Sequence, residues 1–220
     1  MLVALAIFDL DHTLISGDSD HAWGQYLVDR QLVDAEEHQR RNDEFYRQYQ
    51  AGDLDIHAYL AFALAPLTRY PREQMEAERA QFIQQRIVPL ITERSRALIQ
   101  HHKEQQDQLL IITATNGFVT YPIAAELGIE DIIAPHPEEI DGRYTGRIVG
   151  EPSFQQGKVT RLQQWMEDKG CDLAGSFFYS DSHNDLPLLR EVSHPVAVDP
   201  DDTLRQYAQQ HGWDIISLRD

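Results

Sequence analysis

Residues 2–14 read Leu2-Val3-Ala4-Leu5-Ala6-Ile7-Phe8-Asp9-Leu10-Asp11-His12-Thr13-Leu14. The apolar run 2–8 predicts a buried β-strand, and Asp9 stands where that strand ends. In open α/β sheets, ligands bind just beyond the carboxyl ends of the strands. Two carboxylates one residue apart repel each other, so the pair calls for a metal ion, a shared proton or a cationic partner. Asp-x-Asp also occurs in ordinary turns, so the rest of the chain has to decide its meaning.

The texture changes after this strand. Between Asp18 and Leu90, apolar and aromatic residues recur at helical spacing: Trp23, Tyr26 and Leu27, then Tyr59, Leu60, Ala63 and Leu64, then Ile83 and Ile87. This predicts about four amphipathic helices and no strand. After Thr92 a strand–helix rhythm resumes. Strands are expected at 109–113, 132–134, 176–180, 195–198 and 213–216, with helices at 93–104, 118–127, 156–168 and 202–210. Asp141-Gly142 marks a hairpin turn, and Gly128 a helix C-cap. Repeated alternation of this kind predicts an α/β fold, a doubly wound parallel sheet covered on both faces. Residues 1–16 and 91–220 then form the core domain, and 17–90 an inserted helical cap.

Composition narrows the function. Of 220 residues, 42% are hydrophobic, enough for a substantial core. Lys and Arg total 19 against 36 Asp and Glu, a net charge of −17. Such a balance argues against nucleic acid and against an anionic membrane as partners. The single cysteine, Cys171, excludes an intramolecular disulfide framework. No basic segment precedes the first apolar run, and no run approaches a membrane span. The expected address is cytoplasmic.

Polar residues gather at the expected strand ends. The first strand carries Asp9 and Asp11, the second Thr113-Ala114-Thr115-Asn116, and a later one Ser180-Asp181-Ser182-His183-Asn184-Asp185; Lys158 follows Gly157 near a helix start. On a parallel sheet these ends converge, and their chemistry suits phosphoryl transfer. A phosphate dianion is repelled by a bare carboxylate nucleophile, so a divalent cation must lie between them. Mg²⁺ takes oxygen ligands, and Asp9, Asp181, Asp185 and the Asp11 carbonyl can supply them. Thr113 and nearby backbone N–H groups, that of Ala114 among them, can hold phosphate oxygens. Lys158 can offset the remaining charge.

These four motifs, in this order, resemble those of the haloacid dehalogenase superfamily, close to its phosphoserine-phosphatase-like branch, and the helical insertion is similar to that family's type-1 cap. The resemblance implies that Asp9 is the nucleophile and Asp11 the general acid and base. It implies that Thr113 and Lys158 bind phosphate, and that Asp9, the Asp11 carbonyl and Asp181 hold Mg²⁺ with Asp185 assisting. One departure is Ser180, where the fourth motif usually has Gly. A second concerns the substrate. Phosphoserine phosphatases use a cap arginine for the substrate carboxylate, and the corresponding stretch 57–63 has none, although Arg69, Arg72 or Arg79 can reach in from elsewhere. Asp18 falls near the family's amine-binding acid. The stretch Gly17-Asp18-Ser19-Asp20 resembles that of histidinol-phosphate phosphatases in this branch, with Trp23 or Tyr59 as rings to stack on an imidazole. The expectation is a Mg²⁺-dependent phosphomonoesterase, monomeric or homodimeric, acting on a small phosphorylated metabolite, first L-histidinol phosphate. The alternatives are phosphoserine, a phosphomutase, or a non-catalytic phosphate-responsive module.

Overall fold

The computed structural model describes residues 4–219, so Leu2 and Val3 of the first expected strand lie outside the described residues. Strand β1 (Leu5–Phe8) is followed by four helices, α1 (Ser19–Asp29), α2 (Ala35–Ala51), α3 (Ile56–Leu64) and α4 (Arg72–Phe82). Short π and 3₁₀ turns carry the chain on from α4 through Leu90. Then come α5 (Glu93–Glu104), β2 (Gln108–Ile112), α6 (Gly117–Leu127) and β3 (Asp131–Ile133). A hairpin, β4 (His136–Ile140) with β5 (Arg143–Val149), precedes α7 (Gln156–Lys169), β6 (Phe177–Ser180) and α8 (Leu186–Leu189). The described chain finishes with β7 (His194–Val198), α9 (Asp202–His211) and β8 (Asp214–Ile216).

Six strands form one sheet in the order β3-β2-β1-β6-β7-β8, with every pairing parallel. Alternation along each strand sends side chains to opposite faces. Ala6, Phe8, Ile111, Tyr179 and Val198 join one buried cluster, while Leu5, Ile7, Leu110, Phe178 and Ala197 join another. Helices α5 and α6 cover the first face through Ile99 and Ile123; α7 and α9 cover the second through Leu162 and Leu204. This is the doubly wound α/β arrangement expected. The insert 19–90 contains no strand, and Trp23, Leu64, Met75 and Phe82 extend the first cluster. Insert and sheet face therefore share one continuous core.

The chain order runs outward from β1 in both directions, so β1 and β6 flank the point where the winding reverses. The Asp9 N–H bonds the Tyr179 carbonyl at 2.9 Å and ties the two strand ends together. Asp141 and Gly142 both have positive φ, 50° and 75°, as a two-residue hairpin turn requires.

Candidate active site

Parallel pairing brings the ends of β1, β2 and β6 to one edge, and with them Asp9, Thr113 and Asp181. After Asp9 the chain does not enter a helix directly. His12 adopts φ 55°, and a π-like turn over 10–14 closes with the Ile15 N–H on the Leu10 carbonyl at 3.1 Å. This turn aims Asp9 and Asp11 into a single cavity. Lys158 reaches the same place from the first turn of α7. Its Nζ donates to Asp9 Oδ1 at 2.8 Å and to Asp185 Oδ2 at 2.7 Å, and all three residues are buried.

The electrostatics follow from burial. Desolvation pushes the Asp9 carboxyl up to about 7, against the lowering influence of Lys158. Asp11 is pushed up to about 6 by burial and by Asp18, and hydrogen bonds from Ser19 and Thr115 resist the shift. Asp181 is raised by burial, then by Asp9 and Asp185. Burial alone would lower Lys158, but Asp185 and Asp9 outweigh it and hold the ammonium charged.

Both oxygens of Asp11 are engaged: Ser19 N–H donates to Oδ1 at 2.6 Å and Thr115 Oγ1 donates to Oδ2 at 2.8 Å. Thr13 Oγ1 lies 3.4 Å from Asp9 Oδ2 and 3.3 Å from Asp181 Oδ1, and accepts the Asp181 N–H at 3.1 Å. Lys158 therefore pairs with two buried acids, Asp9 and Asp185, and Asp181 adds a third carboxylate with no lysine or arginine partner among the described residues. This all-oxygen surplus fits a hard divalent cation. Among the described residues no three acidic, imidazole or thiol groups converge as a ready-made metal cluster. The residues that could hold such a cation are Asp9 and Asp181, with the Asp11 carbonyl and Asp185 beside them. Asp185 Oδ2 accepts from Lys158 Nζ and from the Ser180 hydroxyl, each at 2.7 Å, and Asp185 lines the cavity beside Asp9. Ser180, the departure from the family's Gly, thus orients Asp185.

The cavity is lined by Asp9, Asp11, Thr113, Ala114 and Lys158 on the sheet side. On the insert side Asp18, His21, Phe45, Tyr49 and Tyr59 face it. Asp181 opens instead onto an adjoining cleft of about 410 Å³. Trp23 is a correction to the sequence reading. It is 2% exposed, stacks on Tyr26 with centroids 5.5 Å apart and meets Phe82 at 5.1 Å, so it belongs to the core and does not reach a substrate. The three arginines considered for a substrate carboxylate are spent elsewhere. Arg72 pairs with Glu76 and Glu139, Arg79 donates to the Phe118 carbonyl, and Arg69 lines a different cleft.

Sequence reading missed the supporting residues. Thr13 and Thr115 stand two residues from Asp11 and Thr113, a spacing that could have flagged them. Nothing local signals Arg219, which donates to the His12 carbonyl at 2.6 Å and the Ile15 carbonyl at 3.2 Å and so braces the turn after Asp9.

Comparison with known proteins agrees with this geometry. The family model described as haloacid dehalogenase-like hydrolase matches residues 6–190. A Neisseria meningitidis serogroup C (strain 8013) protein named histidinol-phosphatase is 48% identical over 219 residues, 98% of this chain and 99% of its own. A Mycobacterium tuberculosis (strain ATCC 25618 / H37Rv) protein named phosphoserine phosphatase SerB1 is 31% identical over 99% of this chain and 72% of its own length. The crystal structure of a protein of unknown function from Bordetella pertussis Tohama I superposes with a TM-score of 0.93 at 41% identity, covering 100% of both chains. The chain belongs to the haloacid dehalogenase-like hydrolase family, as one of its phosphatases.

Proposed function

We propose that this phosphatase is a Mg²⁺-dependent phosphomonoesterase that works through an aspartyl-phosphate on Asp9, and that its substrate is L-histidinol phosphate. The observation that carries the substrate is the charge of the cavity wall. Among the described residues Lys158 is the only lysine or arginine lining it, and Lys158 is bound to Asp9 and Asp185. A substrate carboxylate would be buried there without a cation, at a cost of several kcal/mol (roughly 2–5). An amine finds Asp18 instead, and an imidazole finds the ring of Tyr59, which stands edge-on to Phe45 at 5.4 Å. The relative named histidinol-phosphatase supports the same choice.

In the proposed reaction Asp9 attacks phosphorus, and Asp11 gives its proton to the departing alkoxide. A carboxyl raised to about 6 is protonated often enough near neutral pH to act as this acid. Asp11 then takes a proton from the water that cleaves the aspartyl-phosphate. Lys158 balances charge on the phosphoryl oxygens, and Thr113 with the Ala114 N–H cradles them. Asp9, Asp181 and the Asp11 carbonyl, with Asp185 assisting, would hold Mg²⁺, which would supply positive charge to offset that of the phosphate. Residues 1–16 and 91–220 serve as the catalytic core. The insert 17–90 acts as the cap that excludes water and selects the substrate. The remaining expectations, a small-metabolite substrate and a monomer or homodimer, belong to the same proposal.

The test is phosphate release, with Mg²⁺, from L-histidinol phosphate and L-phosphoserine side by side. A kcat/KM of about 10⁴ M⁻¹s⁻¹ or more on L-histidinol phosphate alone is expected. Comparable turnover of phosphoserine would mean that a cation reaches the cavity after all.

A further inference from the structure

Gln155 stands three residues before Lys158, in the turn that launches α7. The turn 154–157 is closed by the Gly157 N–H on the Phe154 carbonyl at 2.8 Å, and Gln155 is its first central residue with φ 49° and ψ −120°. These are the angles of a type II′ turn, a position that glycine dominates because a Cβ is crowded there. A side chain kept at such a backbone position has something to do.

Its amide leaves the core and crosses to the insert. Gln155 Nε2 donates to the carbonyl of Gly52 at 3.2 Å and to Asn184 Oδ1 at 3.0 Å. Asn184 Nδ2 in turn donates to the Tyr49 carbonyl at 3.1 Å. Tyr49 and Gly52 form the last turn and C-cap of α2, where the chain enters the 53–55 linker. The fit is close: Gly52 has φ 77°, and a Cβ placed on it would lie 3.1 Å from His183 Nε2. Beside this junction Tyr49 and Phe154 face each other across the cavity wall, with centroids 6.2 Å apart.

We propose that Gln155 is a positioning residue: its amide fastens the end of α2 over the cavity, and the strained turn is retained to aim that amide. The closed insert then holds Tyr49 and the rest of the α2 wall against a bound substrate. The kinetic part of this inference rests on the substrate reading above, whereas its structural part does not.

The variants are Gln155→Gly, which removes both the amide and the backbone strain, and Gln155→Ala, which removes the amide alone. Amide hydrogen exchange over residues 49–55 is expected to accelerate about fivefold or more in both. The melting temperature of Gln155→Gly is expected to exceed that of Gln155→Ala, because both lack the amide and the turn prefers glycine. KM for L-histidinol phosphate is expected to rise about tenfold in both, with kcat changing less. Unchanged exchange over 49–55, an unchanged KM, or a Gln155→Gly variant that melts no higher than Gln155→Ala would each overturn the assignment. Para-nitrophenyl phosphate serves as the control. If the unaltered protein hydrolyses it but not L-histidinol phosphate, the substrate reading fails. Exchange and melting then decide the latch alone.

Discussion

At the scale of single residues, the site is a problem of too many buried acids for one ammonium. Lys158 is shared by Asp9 and Asp185, and no lysine or arginine among the described residues pairs with Asp181. Changing Asp9 to Asn keeps an oxygen for Lys158 but removes the nucleophile. Turnover is expected to fall about 10⁴-fold or more, with the circular-dichroism melting curve barely moved. Near-normal phosphate release from that variant would sink the nucleophile assignment. Asp20 makes a second, separate statement about charge. It is buried, burial raises its carboxyl well above 3.8 with help from Asp18 and Asp11, and its hydrogen-bond partner is Asn116 at a long 3.4 Å. Above about pH 4 the unfolded chain gives up this proton while the folded chain keeps it, so the group costs stability as pH rises toward its folded value. Asp20→Asn is therefore expected to raise the melting temperature by about 2–4 °C at pH 8 and by less at pH 5. The same gain at both values would show that Asp20 does not titrate differently in the two states.

At the scale of elements, Asp18 does two jobs that one substitution would confuse. Its Oδ1 caps α1 by accepting the N–H groups of Asp20 at 2.9 Å and His21 at 2.8 Å, and the same residue lines the cavity. Asn caps a helix as well as Asp, whereas Ala costs about 1 kcal/mol. Asp18→Asn should hold the melting temperature while raising KM for L-histidinol phosphate. Asp18→Ala should raise KM similarly and also melt about 2–4 °C lower. If KM for an aryl phosphate rises as much as KM for the amine-bearing substrate, the amine-recognition role fails. Elements were the most legible level of the sequence. Short apolar runs marked the strands of the sheet, Asp141-Gly142 marked the hairpin turn, and Gly128 marked the end of α6, because these signals depend on neighbours in the chain. The turn at 10–14 was not legible. His12 at φ 55° is held by the Arg219 bond to its carbonyl, and that partner lies 207 residues away.

At the scale of the whole molecule, a net charge of −17 and the acidic pocket favour uptake of a divalent cation. No helix among the described residues is long and apolar enough to cross a membrane. A cation that binds only the folded state stabilises it by about 2.7 kcal/mol at a hundredfold excess over Kd. Mg²⁺ should therefore raise the melting temperature by about 5 °C or more, EDTA should reverse the gain, and Asp181→Asn should abolish it. A melting curve indifferent to Mg²⁺ would remove the metal from the mechanism. By itself the sequence determined the α/β alternation, the helical insertion after β1, and the identity of Asp9, Asp11, Thr113, Lys158, Asp181 and Asp185 as the residues to watch. Periodicity and short motifs record contacts within a few residues, and a parallel sheet carries all its strand ends to one edge. Only the tertiary structure decided that Trp23 is core while Tyr59 faces the cavity, since both rings obey the same helical spacing. It alone showed that Arg69, Arg72 and Arg79 have other partners, that Ser180 turns Asp185 toward Lys158, and that Gln155 and Arg219 reach across the fold to brace the site. Those outcomes depend on which distant surfaces meet, and no local pattern in the chain encodes that.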